Sequence, residues 1–159
     1  MVKEGNARPG NFKDVDDAID FAIGQEEKAA AFYRRFAKRA VTAGVRKKCE
    51  DMALEEDRHK EMLVSLKAGL PSGIATGRVV DLKLSDYLRS FDLPENADQQ
   101  DLLIAAMKSE ARAEKLYLDL AGVCTLPQVK EVLLRLAAEE GKHKHELEKD
   151  YDDRILGSN

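Results

Sequence analysis

Several residue types that mark particular protein classes are scarce or absent in this chain of 159 residues. Tryptophan is absent, proline occurs 4 times, and the 2 cysteines, Cys49 and Cys124, form no Cys-x-x-Cys pair. The cysteines therefore support neither a zinc ribbon nor a redox dithiol, and we expect two free thiols. The scarcity of proline leaves room for long uninterrupted helices.

The charge and hydropathy of the chain exclude two classes of partner. The formal net charge is −4, and no basic stripe suggests nucleic-acid binding. No apolar run approaches the roughly 18 residues that a membrane-spanning helix needs. The N-terminal stretch MVKEGNARPGNF lacks the apolar core of a secretory signal. We therefore expect a cytoplasmic protein with neither nucleic acid nor membrane as a partner.

The residues that are abundant favour long helices. Charged residues make up 35% and apolar residues 43% of the chain, with many Ala, Glu, Lys, Leu and Arg. Turn signals such as Gly44, Gly69, Gly122 and Pro127 divide this pattern. The predicted helices are 14–43, 45–68, 98–121 and 127–151.

The remaining segments are predicted to connect or flank these helices. Residues 71–98 form a long connection with Gly, Pro and Asn, and with one short helix near 85–90. We predict one all-α domain over 14–151, an N-terminal segment at 1–13 and a frayed tail at 152–159.

An internal repeat relates the two halves of the chain. EEDRHK at 55–60 recurs as EEGKHK at 139–144, and matching residues lie upstream of both at the same offset. The upstream matches are Glu26 with Glu110, Ala29 with Ala113, and Tyr33 with Tyr117. The repeat predicts a duplicated antiparallel hairpin, in which residues equidistant from the turn sit at similar height. Each hairpin would then carry its two glutamates at one level.

Polar residues interrupt the inward-facing stripe of every predicted helix. Counting along each predicted helix in alternating steps of four and three residues gives one largely apolar stripe per helix. We call these four inward-facing stripes the seams. Near their middles the seams contain four glutamates and two histidines: Glu26, Glu56, His59, Glu110, Glu140 and His143. Residues three apart on a helix are neighbours, so each Glu-x-x-His can present both side chains together.

Four buried carboxylates at one level need positive charge. An unpaired buried carboxylate is costly, and no Lys or Arg lies on the seams beside these four. Two divalent cations would neutralise them, and this ligand set suits iron or manganese, with zinc as an alternative. One Glu from each of two helices with Glu-x-x-His from each of two others is the di-metal carboxylate pattern. Core ion pairs without metal are the competing interpretation.

The chain resembles the rubrerythrin branch of the ferritin-like superfamily. The resemblance extends over about residues 14–151 and rests on EEKAAAFY, EEDRH, SEARAEKLY and EEGKH. It implies a ferritin-like four-helix bundle, made of two antiparallel hairpins joined by a long crossover, with two iron ions. It also implies that the six seam residues are ligands and that Glu56 and Glu140 bridge the metals.

Two departures from the family pattern affect the expected chemistry. The sequence lacks the two Cys-x-x-Cys pairs of a rubredoxin-like domain, so electrons would come from a separate donor protein. Some members carry an extra ligand glutamate on the third helix, where this chain has Met107 and Ala113. Glu114 on the same face is the alternative extra ligand, and a solvated ion pair is its competing interpretation.

Other polar residues near the seam have two interpretations. Tyr33 and Tyr117 are either core aromatics or hydrogen-bond donors to metal-binding carboxylates. Glu27, Glu55 and Glu139 adjoin the predicted ligands but point off the seams, and we expect them to form surface ion pairs.

Three functions remain open. The first is an oxidoreductase that reduces hydrogen peroxide at a di-iron site, with peroxide or dioxygen as its substrate. The second is a ferroxidase or iron-handling protein, and the third is a non-catalytic metal-binding helical module. We expect a homodimer.

Overall fold

Four long helices build the protein in the computed structural model, which describes residues 10–70 and 78–156. They are α1 (Val15–Arg39), α2 (Ala43–Ala68), α3 (Gln99–Val123) and α4 (Pro127–Tyr151). Helix α1 packs along α2, and α3 packs along α4. The predicted all-α architecture of two hairpins joined by a long crossover is confirmed. Within the described ranges, no helix combines the length and hydrophobicity of a membrane span.

Side-chain caps set the starts of three helices. The Asp14 carboxylate accepts from the Asp17 amide at 2.8 Å, and Asp98 caps α3 reciprocally with Asp101. The predicted break at Gly44 differs from the observed one, because Thr42 Oγ1 accepts from the Val45 amide at 3.2 Å. Residue 44 therefore lies in the first turn of α2.

The crossover is ordered by short helices and by the N-terminal segment. Its described part, from residue 78 onward, contains two 3₁₀ helices, Val79–Asp81 and Leu84–Tyr87, where the sequence predicted one helix slightly later. Phe12 is buried, and its amide donates to the Leu82 carbonyl at 3.1 Å. Residues 71–77 of the predicted connection lie outside the described residues. The division of the chain at 13/14 stays a prediction.

The predicted frayed tail differs from the structure in its first part. Residues Asp152–Leu156 continue directly from α4 as a π-helical turn. Helical hydrogen bonding therefore extends past the predicted end of the domain. Residues 157–159 lie outside the described part of the chain.

A polar layer divides the hydrophobic core into two clusters. One cluster joins the start of α1 and the end of α2 to the later part of α3 and the first half of α4. The other joins the end of α1 and the start of α2 to the start of α3 and Leu147. The seam residues are buried except at helix ends, where Ala40, Leu66, Leu70 and Cys124 are half-buried. The bundle therefore isolates the polar layer from water on both sides.

The two free thiols are expected to differ in reactivity. Cys49 is 5% exposed, and burial raises the pKa of its thiol to about 11, whereas Cys124 is half-buried. Because the thiolate is the nucleophile, iodoacetamide at pH 8 should alkylate Cys124 well before Cys49. Mass spectrometry of the native protein measures this, with the urea-unfolded protein as the control. Equal labelling of both native thiols would contradict the prediction.

Candidate metal centre

The structure brings the six predicted ligands together in the middle of the bundle. Glu26 on α1 and Glu110 on α3 each contribute one carboxylate, and α2 and α4 each contribute a Glu-x-x-His pair. All six side chains are buried, with at most 3% of each residue exposed: Glu26, Glu56, His59, Glu110, Glu140 and His143. The regular helices place them at one height because the hairpins are antiparallel.

These side chains form two overlapping groups of suitable ligand atoms. The first group is Glu26, Glu56, His59 and Glu140, and the second is Glu56, Glu110, Glu140 and His143. Within each group, one ligand atom per residue lies within 4.8 Å of the others. Glu56 and Glu140 belong to both groups. The cluster could therefore hold two neighbouring metal ions with two shared carboxylates.

Unpaired polar atoms support the fit of metal ions to this cluster. Within the described residues, five carboxylate oxygens and one imidazole nitrogen of the cluster are buried without a hydrogen-bond partner. They are Glu26 Oε2, Glu56 Oε1, Glu56 Oε2, Glu110 Oε2, Glu140 Oε2 and His143 Nδ1. Buried unpaired polar atoms are rare in proteins and need an explanation. Carboxylate oxygen and imidazole nitrogen are ligands for iron, manganese and zinc.

The surroundings of the cluster raise the pKa of two of its carboxyls and lower the pKa of a third. Burial, and then the neighbouring carboxylates, raise the pKa of Glu56 and of Glu140 well above the ordinary value. Burial also acts to raise the pKa of Glu110, but the neighbouring polar groups of Glu140 and His143 and the charge of Arg89 lower it to about 2. The metal-free cluster therefore shares protons among its carboxylates instead of ionising fully.

Each histidine has one ring nitrogen inside the cluster and the other on a glutamate of the opposite hairpin. His59 Nδ1 lies 2.6 Å from Glu140 Oε1, and its Nε2 lies 2.7 Å from Glu139 Oε2. His143 Nδ1 lies 3.3 Å from Glu56 Oε1, and its Nε2 contacts Glu55. Donation of Nε2–H to the outer carboxylates fixes the tautomer that leaves Nδ1 free to bind a metal.

The expectation for Glu55 and Glu139 was therefore incomplete. Glu139 does form a surface ion pair, at 3.0 Å from Arg58, but its other oxygen holds His59. Glu55 holds His143 in the same way. Their signal in the sequence was the doubled glutamate that opens both copies of the repeat. Glu27 matches its expectation, because it pairs with Lys60 at 2.6 Å on the surface.

Removing the Glu139 carboxylate should weaken metal binding. We expect Glu139→Ala to lower the affinity for Mn²⁺ by about 10- to 100-fold, since partners that orient a ligating histidine typically have effects of that size. Competition with a fluorescent chelator measures the affinity. Glu27→Ala is the matched control, because it removes a neighbouring surface carboxylate. An affinity within about twofold of this control would contradict the role assigned to Glu139.

The two predicted tyrosines also bridge the hairpins. Tyr33 Oη donates to Glu110 Oε1 at 2.5 Å, and Tyr117 Oη donates to Glu26 Oε1. Burial, and then the nearby carboxylates, raise the pKa of both phenols well above the ordinary value, which keeps them protonated as donors. Each tyrosine thereby orients a carboxylate of the metal cluster. Its influence on bound metal stays a prediction.

The geometry of Glu114 favours the ion-pair interpretation. Among the described residues it belongs to neither group of potential ligands, and its Oε1 lies 3.1 Å from Lys144 Nζ. Its carboxylate lies against Gly141, where an added Cβ would come within 2.1 Å of Glu114 Oε2. Because residue 141 is glycine, the Glu114 carboxylate has room to lie against it.

Sequence reasoning missed a buried cation, Arg89, which the crossover inserts beside the carboxylates. Its side chain is 2% exposed, with Nη1 at 3.6 Å from Glu26 Oε2 and Nη2 at 3.5 Å from Glu56 Oε2. Nη2 also lies 3.6 Å from Glu110 Oε1. The seams themselves contain no basic residue at this level, but the crossover supplies one. Residue 89 lies on none of the four inward-facing stripes, so no pattern in the sequence indicated its position.

Comparison with protein families shows which family the chain matches. The family described as rubrerythrin matches residues 17–79 and 101–159, most of the chain. The chain belongs to the rubrerythrin family. No curated protein sequence matches it. The residues that match the rubrerythrin family include all six side chains of the cluster that could bind two metal ions.

Solved structures similar to this rubrerythrin-family chain share its fold. A hypothetical protein from Pyrococcus furiosus matches with a TM-score of 0.69 and 22% identity, over 89% of this chain and 90% of that one. A Thermotoga maritima protein, provisionally assigned as a ferritin-like diiron-carboxylate protein, matches with a TM-score of 0.68 and 21% identity, over 88% and 95%. The manganese catalase KatB from Anabaena PCC7120 matches with a TM-score of 0.65 and 22% identity, over 99% and 80%. The predicted ferritin-like fold is confirmed.

Proposed function

We propose that the protein is a di-iron oxidoreductase that reduces hydrogen peroxide to water. One peroxide, two electrons and two protons give two waters. The proposed source of the electrons is a separate donor protein. Glu26, Glu56, His59, Glu110, Glu140 and His143 are the proposed ligands.

The observation that carries this proposal is the sharing of Glu56 and Glu140 by both groups of ligand atoms. Shared carboxylates favour a pair of adjacent ions over two isolated ones. Two adjacent iron ions would supply one electron each to the same small oxidant. Reduction of peroxide to water requires that number of electrons.

The residues around the cluster protect and orient its groups. Hydrophobic clusters on both sides exclude water, which strengthens electrostatic interactions within the site. Tyr33 and Tyr117 hold the carboxylates of Glu110 and Glu26, while outer glutamates hold the histidine rings. In the metal-free protein the raised pKa of Glu140 favours its protonated carboxyl, which can donate a hydrogen bond to His59 Nδ1 at 2.6 Å.

A peroxide consumption assay tests the proposal. Protein loaded with two equivalents of Fe²⁺ should consume peroxide faster than free Fe²⁺ does and oxidise two Fe²⁺ per peroxide. Glu56→Gln should reduce the rate to that of free iron, whereas the surface variant Glu27→Gln should react as the wild type does. If the loaded wild type were no faster than free Fe²⁺, the proposed activity would be wrong.

A manganese catalase is the second candidate, favoured by the similarity in fold to KatB. The ligand types suit manganese as well as iron. Oxygen release distinguishes the two activities, because dismutation without a donor gives one O₂ for every two peroxides, whereas donor-dependent reduction gives none. An electrode assay of the manganese-loaded and iron-loaded proteins therefore decides between them.

The proposed assembly is a homodimer. The number of subunits distinguishes an enzyme from an iron-storage protein. Mineral storage would need a closed cage of many chains. Size-exclusion chromatography with light scattering measures the assembly directly. A dimer excludes a mineral core and leaves oxidation of ferrous iron without storage as the remaining iron-handling activity.

A further inference from the structure

The guanidinium of Arg89 has a donor that no described residue satisfies. Nη2 is buried and lacks a hydrogen-bond partner within the described residues. The nearest carboxylate oxygens, on Glu56 and Glu110, lie 3.5 and 3.6 Å from it, too far for a short charge-assisted hydrogen bond. A buried charged group with an unused donor is costly, so this arrangement needs a reason.

Arg89 is fixed in place by residues that directly precede two proposed ligands. Its Nε donates to Ser109 Oγ at 2.6 Å, and its backbone amide donates to Gln25 Oε1 at 2.9 Å. Gln25 precedes Glu26, and Ser109 precedes Glu110. The guanidinium also lies over the Phe91 ring, 5.5 Å from its centroid. These contacts aim the unused N–H at the cluster.

The charge of Arg89 changes what the loaded cluster needs. Two divalent ions neutralise four carboxylates when both histidines are neutral ligands. Within the buried layer the guanidinium then leaves one surplus positive charge, because the outer carboxylates of Glu55 and Glu139 are partly exposed to solvent. A net charge in such a place is strongly unfavourable, and a single negative charge beside it removes the imbalance.

We propose that Arg89 makes the metal-loaded cluster a site for one small monoanion, of the size of hydroxide, azide or hydroperoxide. The anion accepts a hydrogen bond from Arg89 Nη2 on the side of the cluster that the crossover covers. This inference rests on the proposed di-metal function. It assigns that function an anionic ligand and a specific residue that binds it.

A surface groove lies beside Arg89 on this side of the cluster. It lies between the crossover and α3, has a volume of about 1170 Å³, and includes Leu88 and Ser90 on either side of Arg89. Ser109 lines the groove and also holds Arg89 Nε. The hydrogen bond between Ser109 and Arg89 therefore links the wall of the groove to the carboxylates.

Azide binding to the cobalt-loaded full chain tests the inference. Co²⁺ gives an optical spectrum that reports ligand binding, and elemental analysis gives the metal content. We expect one azide per pair of Co²⁺ in the wild type. Arg89→Gln should weaken azide binding by about 10- to 100-fold, as loss of a charge-assisted hydrogen bond predicts, and should leave Co²⁺ affinity equal or higher.

Weaker azide binding together with equal or higher Co²⁺ affinity distinguishes a role of Arg89 in anion binding from a purely structural role. A purely structural Arg89 would weaken Co²⁺ and azide binding together, and this result would overturn the inference. Arg89→Lys keeps the charge and should retain more azide affinity than Arg89→Gln. Arg39→Gln is the matched control, because Arg39 also holds the crossover, by donating to the Glu95 carbonyl at 2.8 Å, and lies outside both the cluster and the groove.

The wild type alone gives a second test that does not depend on how the variants fold. Azide should change the Co²⁺ spectrum, whereas neutral acetonitrile at the same concentration should leave it unchanged. Equal binding of both would overturn the inference. A wild type that fails to bind two Co²⁺ would overturn the proposed function itself, whereas azide binding equal in wild type and Arg89→Gln would overturn this inference alone.

Discussion

Replacing Glu56 with glutamine is expected to abolish most of the stabilisation that divalent metal gives this protein. At a metal concentration of about 100 times Kd, each occupied site stabilises the fold by about 2.7 kcal/mol, so two sites contribute about 5 kcal/mol. For a chain of this size, that corresponds to a Tm increase of about 10–20 °C. Because Glu56 belongs to both ligand groups, its loss affects both ions.

The metal-free variant should behave in the opposite way. Burial and neighbouring carboxylates raise the pKa of Glu56, and neither of its oxygens has a hydrogen-bond partner among the described residues. A neutral amide avoids this repulsion, so metal-free Glu56→Gln should melt no lower than the metal-free wild type. Calorimetry with and without Mn²⁺ measures both quantities. Glu27→Gln is the control, and a wild-type Tm increase in Glu56→Gln would contradict the shared-ligand arrangement.

Leu63→Ala is expected to destabilise the metal-free protein by about 2–5 kcal/mol. Leu63 follows His59 by one helical turn on α2, is 0% exposed and belongs to the first hydrophobic cluster. Truncation leaves a cavity in this cluster, and regular helices can close it only partly. Urea unfolding of the metal-free protein gives the free energy of unfolding.

The same helix supplies a matched control for this change. Leu54 is 63% exposed, so Leu54→Ala makes the identical chemical change without creating a cavity. We expect its effect on the free energy of unfolding to stay within about 0.5 kcal/mol. If the two variants lost equal stability, the assignment of α2's inner face would be wrong.

The seams and the cluster were predictable because helices impose a short-range period. Once Glu56 and His59 are placed on an inward stripe, their neighbours along the helix follow from geometry. The repeat then placed a second copy in the other hairpin. The matching family supports the same architecture.

Features that depend on contacts between distant segments were not predictable in this way. Glu55 and Glu139 lie off their own seams, and their contacts with histidines arise only when the hairpins pack together. Arg89 comes from an irregular segment, whose path depends on the surfaces of α1 and α3. The break between α1 and α2 shifted because a Thr42 cap competed with a glycine signal.

The two hairpins make equivalent hydrogen bonds to each other, and this has a consequence for the origin of the chain. Each hairpin's histidine and tyrosine hydrogen-bond to glutamates of the other hairpin: His59 to Glu139, His143 to Glu55, Tyr33 to Glu110 and Tyr117 to Glu26. Each hairpin carries the equivalent of both members of every pair, but the structure joins each pair across the two hairpins. Two identical hairpins could satisfy all four contacts through twofold symmetry. Gene fusion of such a symmetric ancestor would yield one polypeptide with this arrangement, after which each half was free to diverge.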